Sequence, residues 1–304
     1  MRLALVGYGN VGRAFHLLLD RMKPRYPFAI VGIHTRTRPA APSFAEFLDE
    51  ARPDILLELT TLDPHGGQPA ISYIEQAFSR RIHVVTANKG PIAFAYRRLS
   101  EIARTEGVEF RFESTVMDGA PVFNLVRQTL PGVEIQGFTG ALNSTSNIIL
   151  GAMRAGRTFD EGLAEAQRMG VAEADASFDI EGWDAASKCA ALANVLLDAE
   201  ATPLHVDRRG IAHITPERLA DLDRRGKSLV LIARGRRGPD GVKLRVRPEV
   251  LDRTDPFASL EGTTNLLQLH TDLMGTIGIC SVRPGVEQTA YGVFADVVDI
   301  ARSV

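Results

Sequence analysis

Cysteine is scarce in this chain. Cys189 and Cys280 are the only two in 304 residues, too few for a disulfide framework or a cysteine metal cluster. Both are expected as small buried hydrophobes. An excess of either charge is also missing, since 35 basic residues face 37 acidic ones. That balance argues against nucleic-acid binding, which draws on a strong basic surplus. No run approaches the roughly 18 apolar residues of a membrane span. The first residues enter a strand-like Leu3-Ala4-Leu5-Val6 without the layout of a signal peptide. Internal repeats and low-complexity segments are absent. The seven histidines (His16, His34, His65, His83, His205, His213 and His270) lack metal-ligand spacing and are expected in packing or surface roles. A soluble cytoplasmic protein without membrane or nucleic-acid partners is the expectation.

What is present is apolar patterning. The chain is 45% hydrophobic, enough for a sizeable core, and its length suggests about two domains. Apolar runs at 3–6, 28–33, 55–59, 82–85 and 108–112 alternate with helical periodicity at 11–22, 70–78 and 94–103. Strands and helices alternating at this spacing predict right-handed βαβ crossovers and a parallel sheet. The pattern changes after about residue 121. A strand is expected at 133–142, then helices at 148–154, 159–168 and 183–197. Strands at 229–233, 243–246, 266–270 and 276–282 and a helix at 289–300 follow. This second part reads as α+β with an antiparallel or mixed sheet. Arg234 to Arg237, with Gly235, Gly238 and Pro239, read as a basic hairpin turn.

Gly7-Tyr8-Gly9-Asn10-Val11-Gly12 fits G-x-G-x-x-G, between a strand and a helix at the start of a βαβ unit. Gly7 permits the tight turn, Gly9 admits a pyrophosphate, and Gly12 lets the helix pack on the strand. The helix N-terminus then faces the negative charge, with Asn10 and Val11 supplying the first amides. The second strand run leads into His34-Thr35-Arg36-Thr37-Arg38. NAD binders usually place a carboxylate there, so Arg36 and Arg38 favour a 2′-phosphate and hence NADP(H), with NAD(H) as the alternative. The expected architecture is a Rossmann domain over residues 1–125 and an α+β catalytic and dimerisation domain over 126–285. The closing helix, 286–304, would return to the first domain.

Chemistry-bearing residues gather in four segments. They are Thr86-Ala87-Asn88-Lys89-Gly90 after the fourth strand, residues 113–120, the polar turn 140–147, and residues 167–188. In the last, Asp184 and Lys188 stand at i,i+4 and share one helix face. The helix around them is otherwise apolar, with Ala185, Ala186, Cys189, Ala190, Leu192 and Ala193. A helix apolar nearly all round is buried. A buried charged pair is costly unless well satisfied, which makes a functional role competitive with a plain ion pair.

These segments together resemble the homoserine dehydrogenase family. The resemblance is most specific over residues 172–188, where the glutamate, the aspartate, Gly182-Trp183-Asp184 and Lys188 fall in family order and spacing. It implies reversible NAD(P)H reduction of L-aspartate 4-semialdehyde to L-homoserine, within threonine and methionine biosynthesis. It also implies a homodimer formed through the sheet of the second domain. By the same resemblance Lys188 is the general acid and Asp184 holds it and the substrate. Glu173 and Asp179 grip the substrate amino end, with Thr145 beside them. Lys89 lies between nicotinamide and substrate, Thr60 faces the nicotinamide, and Gly285 belongs to a cofactor-contacting loop. Glu113, with carbonyls of Val116, Asp118 and Ala120, corresponds to a sodium site. The sequence departs from the family at Ser144, at Met117-Asp118, and at Ser281-Val282-Arg283-Pro284. The expected form is the short one, without a C-terminal regulatory domain. A related NADP-dependent reductase of another small amino- or hydroxy-aldehyde, and a non-catalytic nucleotide-binding regulator, stay open.

Overall fold

A computed structural model describes residues 1–303, so the last residue of the expected closing helix, 304, lies outside the described residues. In chain order the first elements are β1 (Arg2–Val6), α1 (Asn10–Met22), β2 (Ala29–His34), α2 (Phe44–Ala51), β3 (Ile55–Glu58) and α3 (Ala70–Phe78). Next come β4 (His83–Thr86), α4 (Lys89–Glu106), β5 (Phe110–Arg111) and α5 (Phe123–Thr129). The middle holds β6 (Ile135–Ala141), α6 (Ser144–Arg154), α7 (Phe159–Arg168), α8 (Ser177–Ile180), α9 (Trp183–Leu196) and β7 (Asp207–Arg208). The chain continues with α10 (Pro216–Arg224), β8 (Lys227–Gly238), β9 (Gly241–Asp252), β10 (Asn265–Thr271), β11 (Thr276–Ser281) and α11 (Val286–Ser303). Contacts divide the chain into one unit of Met1–Thr129 with Gly285–Val304 and another of Leu130–Pro284.

The first unit is a five-stranded sheet in the order β2-β1-β3-β4-β5, parallel at every pairing. From β2 the chain crosses back over β1 to lay down β3, so the direction of winding reverses between β1 and β3. Ligands of open α/β sheets bind at that reversal, outside the carboxyl ends of the strands. Leu3, Leu5, Ile55 and Leu57 are fully buried, as expected for strands covered on both faces. They share a core with Phe15 and Leu19 of α1 and with Val293, Phe294, Val297 and Ile300 of α11. The unforeseen α2 has a sequence signal: Ser43 accepts from the amide of Glu46, and its hydroxyl donates to the Glu46 carboxylate.

The second unit is a six-stranded sheet in the order β11-β10-β6-β8-β9-β7. All pairings are antiparallel except the short β7, which runs parallel to β9. Helix α9 packs on β8 and β9, α10 packs on β8, and α6 packs on β8 and α7. The β8–β9 ribbon corrects the expected turn at Arg234 to Arg237, because the strand continues to Gly238 and the reversal falls at Pro239-Asp240. Arg234 pairs bidentately with Glu249 across the ribbon, and Arg245 reaches the same carboxylate at 2.9 Å. These pairs let basic residues occupy strand positions. Cys280 corrects a second expectation: it is exposed, whereas Cys189 is buried.

Candidate active site

In the first unit the loop after β1 is shaped by two different constraints. Gly7 has φ +90°, and a Cβ there would lie 2.5 Å from the carbonyl oxygen of Leu59. Only glycine fits where the exits of β1 and β3 pass each other. A Cβ on Gly9 would meet nothing within 4 Å. Protein packing therefore does not require that glycine, whereas a phosphate seated in the loop would. Helix α1 starts beyond Gly9 with no side-chain cap and no acidic residue in its first turn. Its amides are left to face an anion, as a pyrophosphate site requires. Gly12 lies inside α1 and is buried. Arg36 and Arg38 are exposed in a turn after β2, closed by the Arg38 amide donating to Thr35 Oγ1 at 3.0 Å. Gly285 is exposed at the head of α11.

Beneath the loops lies a carboxylate that sequence reasoning missed. Glu58 ends β3 and is fully buried. Its Oε1 accepts from the Thr60 amide at 2.9 Å and from the Thr60 hydroxyl, and its Oε2 accepts from the Thr86 hydroxyl at 2.7 Å. Burial pushes the Glu58 carboxyl up, and the bonds from Thr60, Thr86 and Asn88 oppose that shift. Asn88 caps α4, its Oδ1 accepting from the Gly90 amide at 2.9 Å, while its Nδ2 lies 3.4 Å from Thr60 Oγ1. Lys89, the first residue of α4, is half-buried. Two signals for this network were in the sequence: a charge inside the apolar run 55–59, and an asparagine before a helix.

In the Glu113 to Ala120 segment the protein itself engages the Glu113 carboxylate. Glu113 accepts from the amides of Val122, Phe123 and Asn124 at 2.6, 2.9 and 2.6 Å. Its carboxylate therefore caps the start of α5, and the Ala120 carbonyl already accepts from the Val122 amide at 2.9 Å. Burial pushes the Glu113 carboxyl up against those three bonds. Beside it, Asp296 of α11 accepts from the Glu113 amide at 2.8 Å and from Asn124 at 3.1 Å. Burial pushes Asp296 up to about 7.

The second unit holds a compact charged cluster. Lys188 Nζ lies 3.1 Å from Asp184 Oδ2 and donates to the carbonyl of Leu142 at 2.6 Å. Asn143 Nδ2 donates to Asp184 at 2.9 Å and to Asp179 at 2.6 Å. Thr145 Oγ1 donates to the other Asp179 oxygen at 3.1 Å. The Asn143 oxygen accepts from the Ser146 amide at 2.8 Å and caps α6. Carboxylates only accept, so this leaves one orientation for the amide. Burial, then the neighbouring Asp184 charge, raises the Asp179 carboxyl, with Asn143, Lys188 and Thr145 opposing. The structure thus brings together Thr145, Asp179, Asp184 and Lys188, and adds Asn143 and the Leu142 carbonyl. Glu173 stands apart, exposed on the loop before α8. Cys189 adjoins Lys188 in sequence, but burial pushes its thiol up to about 12, which leaves it inert at neutral pH.

Comparison with known proteins covers both units. A family model described as homoserine dehydrogenase, NAD binding domain, matches residues 7–113, and one described as homoserine dehydrogenase matches residues 121–298. The homoserine dehydrogenase of Sulfurisphaera tokodaii is 33% identical, over 99% of this chain and 99% of its own length. An NAD(+)-dependent homoserine dehydrogenase of Pseudomonas canavaninivorans is 38% identical, over 82% of this chain and 71% of its own. A solved hyperthermophilic archaeal homoserine dehydrogenase in complex with NADPH superimposes with a TM-score of 0.85. It is 26% identical, covering 100% of this chain and 98% of that one.

Proposed function

Since the chain belongs to the homoserine dehydrogenase family, we propose that Lys188 is the proton donor in its NAD(P)-dependent, reversible conversion of L-aspartate 4-semialdehyde to L-homoserine. The observation that carries this role is the Lys188 ammonium held between the Leu142 carbonyl and Asp184 on a buried helix. The bound dinucleotide supplies the hydride. As the carbonyl oxygen gains negative charge, the Lys188 ammonium stabilises it and delivers a proton to it. In the reverse direction the neutral amine takes the hydroxyl proton. Asp184 holds the lysine in place. Asp179, oriented by Asn143 and Thr145, meets the cationic amino end of the substrate, where a carboxylate in a poorly hydrated site binds most strongly. Glu173 contributes to the same end from its exposed loop. Lys89 belongs at the nicotinamide side of the substrate, and Thr60 at the nicotinamide itself.

The Gly7 to Gly12 loop and the uncapped start of α1 would hold the pyrophosphate, with Gly285 at the loop before α11. NADP(H) is the preferred cofactor on this reading, because Arg36 and Arg38 replace the carboxylate that NAD binders use. NAD(H) is a second reading, favoured by the similarity to an NAD(+)-dependent relative. The protein is a homodimer through the second unit's sheet; exposed Leu273, Met274 and Val282 beside edge strand β11 support this. The deciding experiment supplies purified protein with homoserine and NADP or NAD and follows absorbance of the reduced nicotinamide. Turnover is expected; none with either cofactor defeats the proposal.

A further inference from the structure

The buried Glu58 network has a consequence for how the first unit recognises its ligand, and it rests on the reading of Thr60 as a nicotinamide-side residue. A threonine hydroxyl has one proton to give. The Thr60 hydroxyl and the Thr60 amide both point to Glu58 Oε1. An amide nitrogen is always a donor, so Oε1 is an acceptor whatever the charge on Glu58. The hydroxyl proton of Thr60 is therefore committed inward. If Glu58 takes up a proton, it sits on Oε2, where the Thr86 hydroxyl can reverse its bond and turn toward the Asn88 carbonyl, 3.5 Å away. Protonation changes the direction of the bond at Thr86 and leaves Thr60 as it was.

We propose that Glu58 is a positioning residue that makes Thr60 Oγ1 an acceptor toward the cofactor, selecting a nicotinamide ring substituent that carries N–H. The half-buried Thr60 oxygen then rewards a carboxamide NH2 and opposes a group presenting only lone pairs or a methyl. Glu58 acts through its reach, which spans Thr60 on one oxygen and Thr86 on the other, and not through its charge.

The test uses dissociation constants, measured by calorimetry on the full chain, for NADP, its thionicotinamide analogue and its 3-acetylpyridine analogue. The first two keep the NH2 and the third replaces it with a methyl. The native chain is expected to favour NADP over the acetyl analogue about tenfold, the scale of one buried hydrogen bond lost. It should bind the thio analogue like NADP. Thr60→Val should bring the ratio close to one. Glu58→Gln, which keeps the reach and loses the charge, should retain the ratio. Glu58→Asp, which keeps the charge and loses the reach, should lower it. Equal binding of NADP and the acetyl analogue by the native chain overturns the inference. So does a Glu58→Asp protein that keeps the native ratio, or a Glu58→Gln protein that loses it. Homoserine oxidation with no discrimination sinks this inference alone, whereas a chain that binds no nicotinamide dinucleotide sinks the reading beneath it as well.

Discussion

The two units build their sites from different materials. In the first, the nucleotide loop is made of backbone: a left-handed Gly7, an open Gly9 and the bare amides of α1. In the second, the cluster is made of side chains, with Lys188, Asp184, Asn143, Asp179 and Thr145 each engaged by another member. A backbone site depends on shape and tolerates any residue that keeps the shape. A side-chain network depends on the identity of each member, because removing one leaves a buried partner unsatisfied. The same contrast separates binding from chemistry, and substitutions can test it.

The largest effect is expected at Lys188→Ala, where the turnover rate should fall roughly a thousandfold with dinucleotide affinity unchanged. Steady-state rates beside cofactor titrations check this; a matching loss of affinity would erase the division between the units. Next comes Asp296, which shows that the first unit also contains a side-chain network. Its folded pKa of about 7 lies above the ordinary 3.8. Folded protein therefore keeps the proton while unfolded chains lose it. Stability is fully present below about pH 4 and falls, by on the order of 4 kcal/mol, as pH rises from about 4 to about 7. Urea unfolding across that window should show the decline, and Asp296→Asn should flatten it.

Gly7→Ala should cost roughly 2 kcal/mol or more of stability, from strain at positive φ and the clash with Leu59. Thermal melts measure it. Gly9→Ala is the sharper probe, since the protein has room for the methyl. Stability should hold while dinucleotide affinity drops about tenfold; unchanged affinity would mean that no ligand enters the loop. The smallest effect is expected at Arg36→Ala, where the NADP preference over NAD should shrink severalfold, as for an exposed charge pairing with a phosphate. An unaltered ratio of the two KM values would remove Arg36 from cofactor selection.

The same contrast governed what the sequence disclosed. The parallel sheet and its helices were legible because fully buried strands read as unbroken apolar runs, and the glycine loop because its spacing is a shape requirement. Helix α3 falls on its expected span, 70–78. Two short helices were missed although capping residues announced them. Thr215-Pro216 opens α10 and Ser43 to Glu46 opens α2. The arginines of β8 were misread because their Glu249 partner lies fifteen residues beyond Arg234, and no local pattern reveals a cross-strand ion pair. Asp184 and Lys188 were visible as an i,i+4 pair on an apolar helix. Asn143 was visible only as part of the polar turn 140–147; its tie to Asp179, 36 residues away, was not, since only folding brings the two together.

Helix α11 sets an order of events. The first unit's core is closed by Val293, Phe294, Val297 and Ile300 against Leu3, Leu5 and Phe15. A ribosome delivers those α11 residues only after all of Leu130–Pro284 has been made. Domains usually fold as they emerge, N-terminal first. Here the N-terminal half must wait, with part of its apolar surface uncovered, while the inserted unit can finish before it. The nucleotide loop therefore acquires its final support only after the inserted unit has been made.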